Sequence, residues 1–299
     1  MNEIKKSYIF ILIIILTVIL TFSSFGKAIR DQEKIQQIKV GNFSLSASMQ
    51  PVPLISFGQN IIDKGDVEVF SYISQLKGSK TKFREVIPSI LYGVTDTSSL
   101  FVQLPIAAQF KSEKFCSRGV QDFLLQFEYA FYTHETSIAV NQLTCLANIG
   151  VPTGSSSQNP PTGFGALSFF IGLTASHMAT DWYCFTSSGI ELPTSHKNTK
   201  FGKQFLYEFG VGRNIAYRSD KWIFLWLIEL NGEYEQASKI KGFIDPNSGG
   251  NSLFLGPSLW FSTQRIILQL GISGVIYQHL FGSQPKDSYF VAADFGWRF

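Results

Sequence analysis

The last thirteen residues, 287–299, constrain the fold more than any other part of the chain. Every second residue from Tyr289 to Phe299 is apolar, and four of these six are aromatic. The intervening residues are small or charged, apart from Phe290. Because successive side chains point to opposite faces of a strand, this pattern predicts a strand with one apolar face and one largely polar face.

Composition limits where such strands can be placed. Hydrophobic residues make up 45% of the chain and aromatic residues 15%, whereas charged residues make up only 16%. In soluble proteins, about a quarter of all residues are usually charged. Beyond residue 28, no uninterrupted apolar run reaches the roughly 20 residues that a spanning helix needs. A sheet closed on itself in lipid accounts for these features, since closure pairs every backbone group.

The N-terminus has the pattern of a secretory signal. Lys5 and Lys6 precede the apolar run 8–20, and small residues follow as far as Ala28. A basic region, a short apolar region and a small-x-small site predict a signal peptide over 1–28. An uncleaved anchor helix is the alternative, for which the apolar run is somewhat short.

Residues 29–65 carry no regular pattern. Pro51 and Pro53 interrupt a weak alternation, because proline cannot donate a hydrogen bond to a sheet. The residues leave three interpretations open for this stretch: a disordered lead, a periplasmic segment, or a plug inside a lumen.

Residues 66–299 consist of repeated alternating segments separated by Gly, Pro, Asn, Asp and Ser. In 120–132, for example, five large apolar residues share one face, and 221–234 repeats that pattern. We count about twelve such segments, with connections that are alternately short and long. This predicts an all-β protein: a transmembrane antiparallel β-barrel of the outer-membrane type, with its long loops outside. The longer connections are 111–119, 152–162, 193–200, 237–251 and 280–286. A soluble sandwich or propeller is the alternative, although no repeat of about 40–50 residues is present.

Several short motifs occur in an order that resembles a known family. They are Tyr-Gly-Val-Thr-Asp at 92–96, Gly-Val-Pro-Thr-Gly at 150–154, Leu-Gly-Pro-Ser-Leu at 255–259 and Pro-Lys-Asp at 285–287. Over 65–299 the chain is similar to the outer-membrane transporter family associated with the meta-pathway of phenol degradation. The resemblance implies a barrel that admits small hydrophobic or aromatic compounds. The closing strand likewise resembles those of bacterial barrels, which implies that Phe299 is part of the signal read by the barrel assembly machinery.

Motifs for catalysis or cofactor binding are missing from the sequence. The four histidines stand in no pattern typical of a barrel phospholipase, and there is no zinc spacing, nucleophile elbow or phosphate-binding glycine loop. Cys116, Cys145 and Cys184 form no CxxC pair, so we expect three free thiols, with one disulfide plus one thiol as the alternative. We therefore expect no enzyme activity, no cofactor and no metal. The net charge of +3 gives no indication of a nucleic-acid partner.

The candidate functional residues are the polar side chains that would line the lumen if the terminal aromatic face points outward. They are Gln126, Glu128, Glu208, Glu229, Asn231, Glu233, Gln269, Asp294 and Arg298. Their acidic excess favours cations or neutral solutes over anions. The alternative is that these groups pair across the lumen and only hold the wall.

These patterns predict a passive outer-membrane channel or transporter for small molecules, as a monomer or trimer. Its expected partners are outer-membrane lipids, the barrel assembly machinery and a small solute. Two other functions stay open: a structural or adhesion barrel without transport, and a barrel-embedded lipid hydrolase. A lumen blocked by 29–65 without a ligand cavity would favour the structural barrel.

Overall fold

The computed structural model describes residues 38–55, 57–196 and 198–299. The predicted signal peptide, 1–28, lies outside the described residues. Within the described ranges no helix is long and apolar enough to cross a membrane. The backbone is dominated by antiparallel strands, as the period-two alternation of the sequence predicts. Their bounds are β1 (Val67–Gly78), β2 (Thr81–Thr95), β3 (Ser98–Gln103), β4 (Ile106–Ser112), β5 (Phe115–Val120), β6 (Phe123–Glu135), β7 (Ala139–Val151), β8 (Ser168–Ala179), β9 (Trp182–Pro193), β10 (Thr199–Lys200), β11 (Gln204–Arg218), β12 (Trp222–Glu235), β13 (Lys239–Ile240), β14 (Phe243–Ile244), β15 (Gly250–Thr263), β16 (Ile266–Leu280) and β17 (Asp287–Arg298).

The long strands form a closed barrel. β1 pairs with β2 along one edge and with β17 along the other, so the first and last strands complete the ring. β3 and β4 act as one strand interrupted at Leu104–Pro105, because both pair with β2. β6 pairs with β3 and β5 pairs with β4, so β5 and β6 together form the next strand of the wall. The fourteen strand segments of this sheet therefore make a wall of twelve strands. The predicted fold class is confirmed.

The two faces of the wall differ as the alternation predicts. On β11, Phe209 is 52% exposed while its neighbour Glu208 is 8% exposed. The same contrast separates exposed Leu270 from buried Gln269 on β16. At these positions the apolar side chain faces outward and its polar neighbour faces inward.

The two ends of the barrel also differ. The turn end carries the short connections β2–β3, β6–β7, β8–β9, β11–β12 and β15–β16, together with the C-terminus. The loop end carries the long connections 152–167, 194–203, 236–249 and 281–286. Two predicted loops contain more structure than expected. β4 and β5 continue as a hairpin into 111–119, closed by a two-residue turn in which Glu113 takes a left-handed φ of 53°. Similarly, β13 and β14 lie within 237–251 and pair with β10 as a small separate sheet.

The outward face provides a direct test of membrane embedding. We expect Leu270→Arg, which places a charge in the middle of the wall where the side chain is 59% exposed, to lower the free energy of unfolding by about 2–4 kcal/mol in lipid vesicles. Phe243→Arg is the matched control, because Phe243 is 80% exposed but lies on the loop-end hairpin. Urea unfolding in vesicles measures both. Equal effects of the two substitutions would contradict a lipid-facing position for Leu270.

Candidate functional site

The stretch that precedes the barrel, residues 38–55 and 57–66, lies against inward-facing side chains and is named the lumen segment. It includes two short 3₁₀ turns, Gly41–Phe43 and Ala47–Met49. Its contacts begin at the turn end, where the Asn42 amide nitrogen donates to the carbonyl of Ala179 at 2.9 Å. They continue around the wall, so that the lumen at this end is occupied by the protein's own chain.

At the turn end the lumen segment completes an apolar core. Leu45 and Met49 pack in one cluster with inward-facing side chains of β9, β12, β15 and β16, and Met49 is fully buried. The Trp260 indole donates to Ser262 Oγ at 3.0 Å, and this hydroxyl donates to the carbonyl of Met49 at 2.8 Å. Burial of apolar surface and satisfied polar groups together stabilise the segment at this position.

Glu229 on β12 anchors the next part of the segment. Its carboxylate accepts hydrogen bonds from the backbone N–H groups of Leu54, at 3.1 Å, and Ile55, at 3.2 Å. The Ser258 hydroxyl donates to the same carboxylate from the neighbouring strand. Hydrogen bonds to a charged acceptor are stronger than neutral ones, so this buried carboxylate holds the backbone at 54–55 firmly.

Glu128 on β6 is a second anchor of the same kind. Its carboxylate accepts from the backbone N–H of Asn60 at 2.9 Å and from the Asn60 side-chain amide at 2.7 Å. Gln126 Nε2 donates to Glu128 at 2.6 Å, which fixes the orientation of the carboxylate. Both anchors are almost completely buried. An uncompensated charge would be costly there, and the backbone donors supply the compensation.

The two anchors lie on nearly opposite walls. Between β12 and β6 there are four strands in one direction around the ring and six in the other. Midway, the carbonyl of Phe57 accepts a hydrogen bond from the Thr174 hydroxyl on β8 at 2.9 Å. Residues 54–55 and 57–60, named the crossing stretch, therefore span the lumen between the two carboxylates.

Arg298 ties the last strand to the lumen segment at the turn end. Its guanidinium lies 2.5 Å from the Asp66 carboxylate and also contacts Ser46. Ser48 donates to Asp66 at 2.6 Å and to Asp63 at 3.1 Å, which holds the two aspartates and the arginine in one network. Glu68 lies directly opposite Arg298 in the register of β1 and β17, so the cation also faces a third carboxylate.

The loop-end half of the lumen has a different lining. Asn231, Glu233 and Glu235 follow Glu229 on the inner face of β12, and Asp287 lies on the last strand. Gln278 Nε2 donates to Asp287 at 3.1 Å. Among the described residues, we find no hydrogen bond from the lumen segment to Asn231, Glu233 or Glu235. The inner face is therefore acidic in the loop-end half of the barrel, whereas the lumen segment fills the turn end.

Each residue predicted to line the lumen is placed on the inner face. The lumen segment contacts Glu128, Glu229 and Arg298, and Gln269 donates to the carbonyl of Val52 at 3.0 Å. Four other predicted residues have no hydrogen bond or ion pair to the segment among those found in the described chain: Gln126, Asn231, Glu233 and Asp294.

The sequence analysis did not identify the residues of the lumen segment that contact the wall. Asn60 and Ser48 lie in a stretch without periodicity, so no signal identified them. Cys116, Cys145 and Cys184 are free.

Comparisons with known proteins support the fold. No family model matches the chain, and no curated protein matches it. Among solved structures, an outer membrane channel from Pseudomonas putida F1 is similar with a TM-score of 0.66 at 12% identity, covering 80% of this chain and 97% of that one. The NanC porin gives a TM-score of 0.47 at 11% identity, covering 77% and 98%. LpxR from Salmonella typhimurium gives 0.44 at 10% identity, covering 76% and 99%. The closed wall of twelve strands and the similarity to the Pseudomonas putida F1 channel together show the architecture of an outer-membrane β-barrel.

Proposed function

We propose that the protein is a passive outer-membrane channel or transporter for small molecules, in which the lumen segment acts as a plug. The observation that carries this proposal is the closed barrel whose polar inner face is crossed by a stretch held by two buried carboxylates. The crossing stretch is held by hydrogen bonds and packing, so it can leave the lumen and return without a change in covalent structure. If the inward-facing polar groups only strengthened the wall, no stretch of the chain would have to cross the lumen.

The charge of the lumen suggests the solutes. Acidic side chains on the inner face outnumber the single arginine at Arg298 that we identify among the described lumen positions. A ring of carboxylates favours cations or neutral solutes and repels anions. The resemblance to the transporter family narrows the proposal to small neutral compounds, including hydrophobic or aromatic ones. The lipid-hydrolase alternative finds no support at His177, whose Nδ1 faces the Asn141 amide oxygen at 2.7 Å rather than an acid.

Conductance in a planar bilayer tests the channel. Discrete, salt-dependent openings of the refolded mature protein are expected. A folded, heat-modifiable barrel that admits no ions and no small neutral solutes into vesicles would overturn the proposal. That outcome would favour the structural or adhesion barrel, since the lumen segment would then be a permanent part of the wall.

Ion selectivity locates the lining. We expect Glu233→Gln combined with Glu235→Gln to lower the cation-to-anion permeability ratio by about two- to fivefold, because both side chains lie on the inner face of β12, where charged side chains set ion selectivity. Reversal potentials under a salt gradient measure this ratio. Glu113→Gln is the control, as its carboxylate pairs with Lys80 at 3.0 Å in a surface turn. A shift of equal size in the control would place the selectivity outside the lumen.

Phe299 is proposed to act in assembly rather than in stability. Its side chain is 78% exposed, and its backbone N–H donates to the carbonyl of Val67 at 3.0 Å. Phe299→Ala keeps that hydrogen bond, so refolding from urea into detergent is expected to be unchanged. The amount of protein in the outer membrane of expressing cells is expected to fall strongly. Quantitative immunoblotting of membrane fractions checks this, and unchanged levels in the membrane would contradict it.

A further inference from the structure

A row of lysines crosses three adjacent strands on the outer face near the loop end. Lys77 on β1 lies directly opposite Lys82 on β2, and Lys82 lies directly opposite Lys111 on β4. Directly opposed residues share a face, with Cβ atoms about 5 Å apart. Lys82 has the same parity along β2 as Ile90, which is 50% exposed, so the row points away from the lumen. We name Lys77, Lys82 and Lys111 the lysine row.

Among the described residues, the lysine row has no neutralising partners. In the described ranges, no carboxylate lies within ion-pair distance of the three amines, and none of them makes a hydrogen bond. Glu113, in the nearby β4–β5 turn, is already paired with Lys80 at 3.0 Å. Glu85 lies on the opposite face, where it accepts from Ser74 and Gln121. Directly opposed like charges destabilise a sheet, so the fold retains a repulsion that an external anion would relieve.

The surroundings of the row place it at the boundary of the membrane. Toward the middle of the barrel, Arg84 donates to Gln75 at 2.7 Å on the same outer face. Tyr289 lies opposite Lys77 on β17, and tyrosines concentrate at membrane–water interfaces. Ile73 precedes Lys77 by four residues, or about 13 Å along the strand, and belongs to the apolar band. The lysine row therefore lies at the loop-end border of the lipid-facing surface.

An apolar groove lies beside the row on the outer face. Its volume is about 740 Å³, and its lining includes exposed side chains of β1, β15 and β16, with Arg84 and Gln75 also contributing. The exposed apolar lining residues include Ile73, Leu259, Leu270, Ile272 and Val291. A cationic row next to an apolar groove matches a ligand that carries phosphate on one side and acyl chains on the other.

We propose that the lysine row and the adjacent groove bind the phosphorylated glycolipid of the outer leaflet, lipopolysaccharide, through its lipid A phosphates. The positive charge of the row is complementary to the negative charge of the phosphates. The row lies near the loop end of the barrel, which corresponds to the outer leaflet. Lys77, Lys82 and Lys111 contact the phosphates, while the groove takes part of an acyl chain. The inference uses the orientation with the loops outside but not the transport role, so it stands or fails independently of conductance.

Binding of lipid A to the full chain in non-ionic detergent tests the proposal. The probe is bisphosphorylated lipid A, with its dephosphorylated form and phosphatidylglycerol as comparisons, and native mass spectrometry gives the affinities. The variant combines Lys77→Gln, Lys82→Gln and Lys111→Gln. Each lysine near an anionic headgroup contributes on the order of a factor of five, so the Kd for lipid A is expected to rise about a hundredfold. Removing the phosphates from the lipid is expected to weaken binding to the unmodified chain similarly.

A matched control removes the same number of positive charges at the turn end of the barrel. Arg218→Gln, Lys221→Gln and Arg265→Gln together remove three exposed cations from the turn end, and less than a twofold change in Kd is expected. Heat-modifiability on gels verifies folding, and Lys82→Gln alone serves if the triple variant does not fold, since Lys82 adjoins both other lysines. Unchanged affinity in the lysine variant, an equal loss in the control, or equally tight binding of phosphatidylglycerol would each overturn the assignment.

Discussion

Replacing Glu128 and Glu229 together with alanine is expected to open the lumen. Four donors of the crossing stretch lose their charged acceptors: the N–H groups of Leu54, Ile55 and Asn60, and the Asn60 amide. A hydrogen bond to a charged group contributes about 1.5–3 kcal/mol, so losing one such contribution at each anchor shifts the closed-to-open equilibrium by about a hundredfold or more. Single-channel recording should show more frequent and longer openings than in the unmodified protein.

The control for this variant has to change charge without changing the anchors. Glu233→Ala removes an inner-face carboxylate for which we find no hydrogen bond to the crossing stretch among the described residues. It is expected to alter selectivity but not open probability. If the double variant opened no more often than Glu233→Ala, the crossing stretch would not be the gate. The plug hypothesis would then be wrong, although the barrel could still conduct.

Trp260→Ala is expected to produce the largest loss of stability from one substitution. Trp260 is 2% exposed and packs in the apolar cluster beneath the lumen segment. Its indole also begins the hydrogen-bonded relay through Ser262 to the carbonyl of Met49. Truncating a buried tryptophan removes transfer free energy and leaves a cavity, so the free energy of unfolding should fall by about 3–5 kcal/mol. Denaturant titration of the protein in vesicles measures the change.

Trp297→Ala provides the comparison for that measurement. Trp297 has the same side chain but points outward and is 37% exposed, so its removal creates no internal cavity. We expect a loss well below that for Trp260, on the order of 1 kcal/mol. Comparable losses at the two positions would show that the inner cluster does not contribute more to stability than lipid-facing contacts do.

Local periodicity was sufficient to predict the wall of this protein. Alternation along 287–299 and its repeats identified the strands, their inner and outer faces, and a count of about twelve, because the direction of a strand side chain depends only on parity. The same parity placed Glu128, Glu229 and Arg298 on one face. The hairpin of β4 and β5 was missed, since a left-handed residue such as Glu113 carries no strong sequence signal.

The tertiary structure alone decided what those inward groups contact. Residues 38–66 show no period, because their conformation comes from hydrogen bonds to strands far away in sequence, such as Asn60 to Glu128 and Leu54 to Glu229. The lysine row also depends on the register of β1, β2 and β4, which brings together cations that are separated along the chain. Parity is a local property of each strand, whereas register and the path of an irregular segment depend on the packing of the whole barrel.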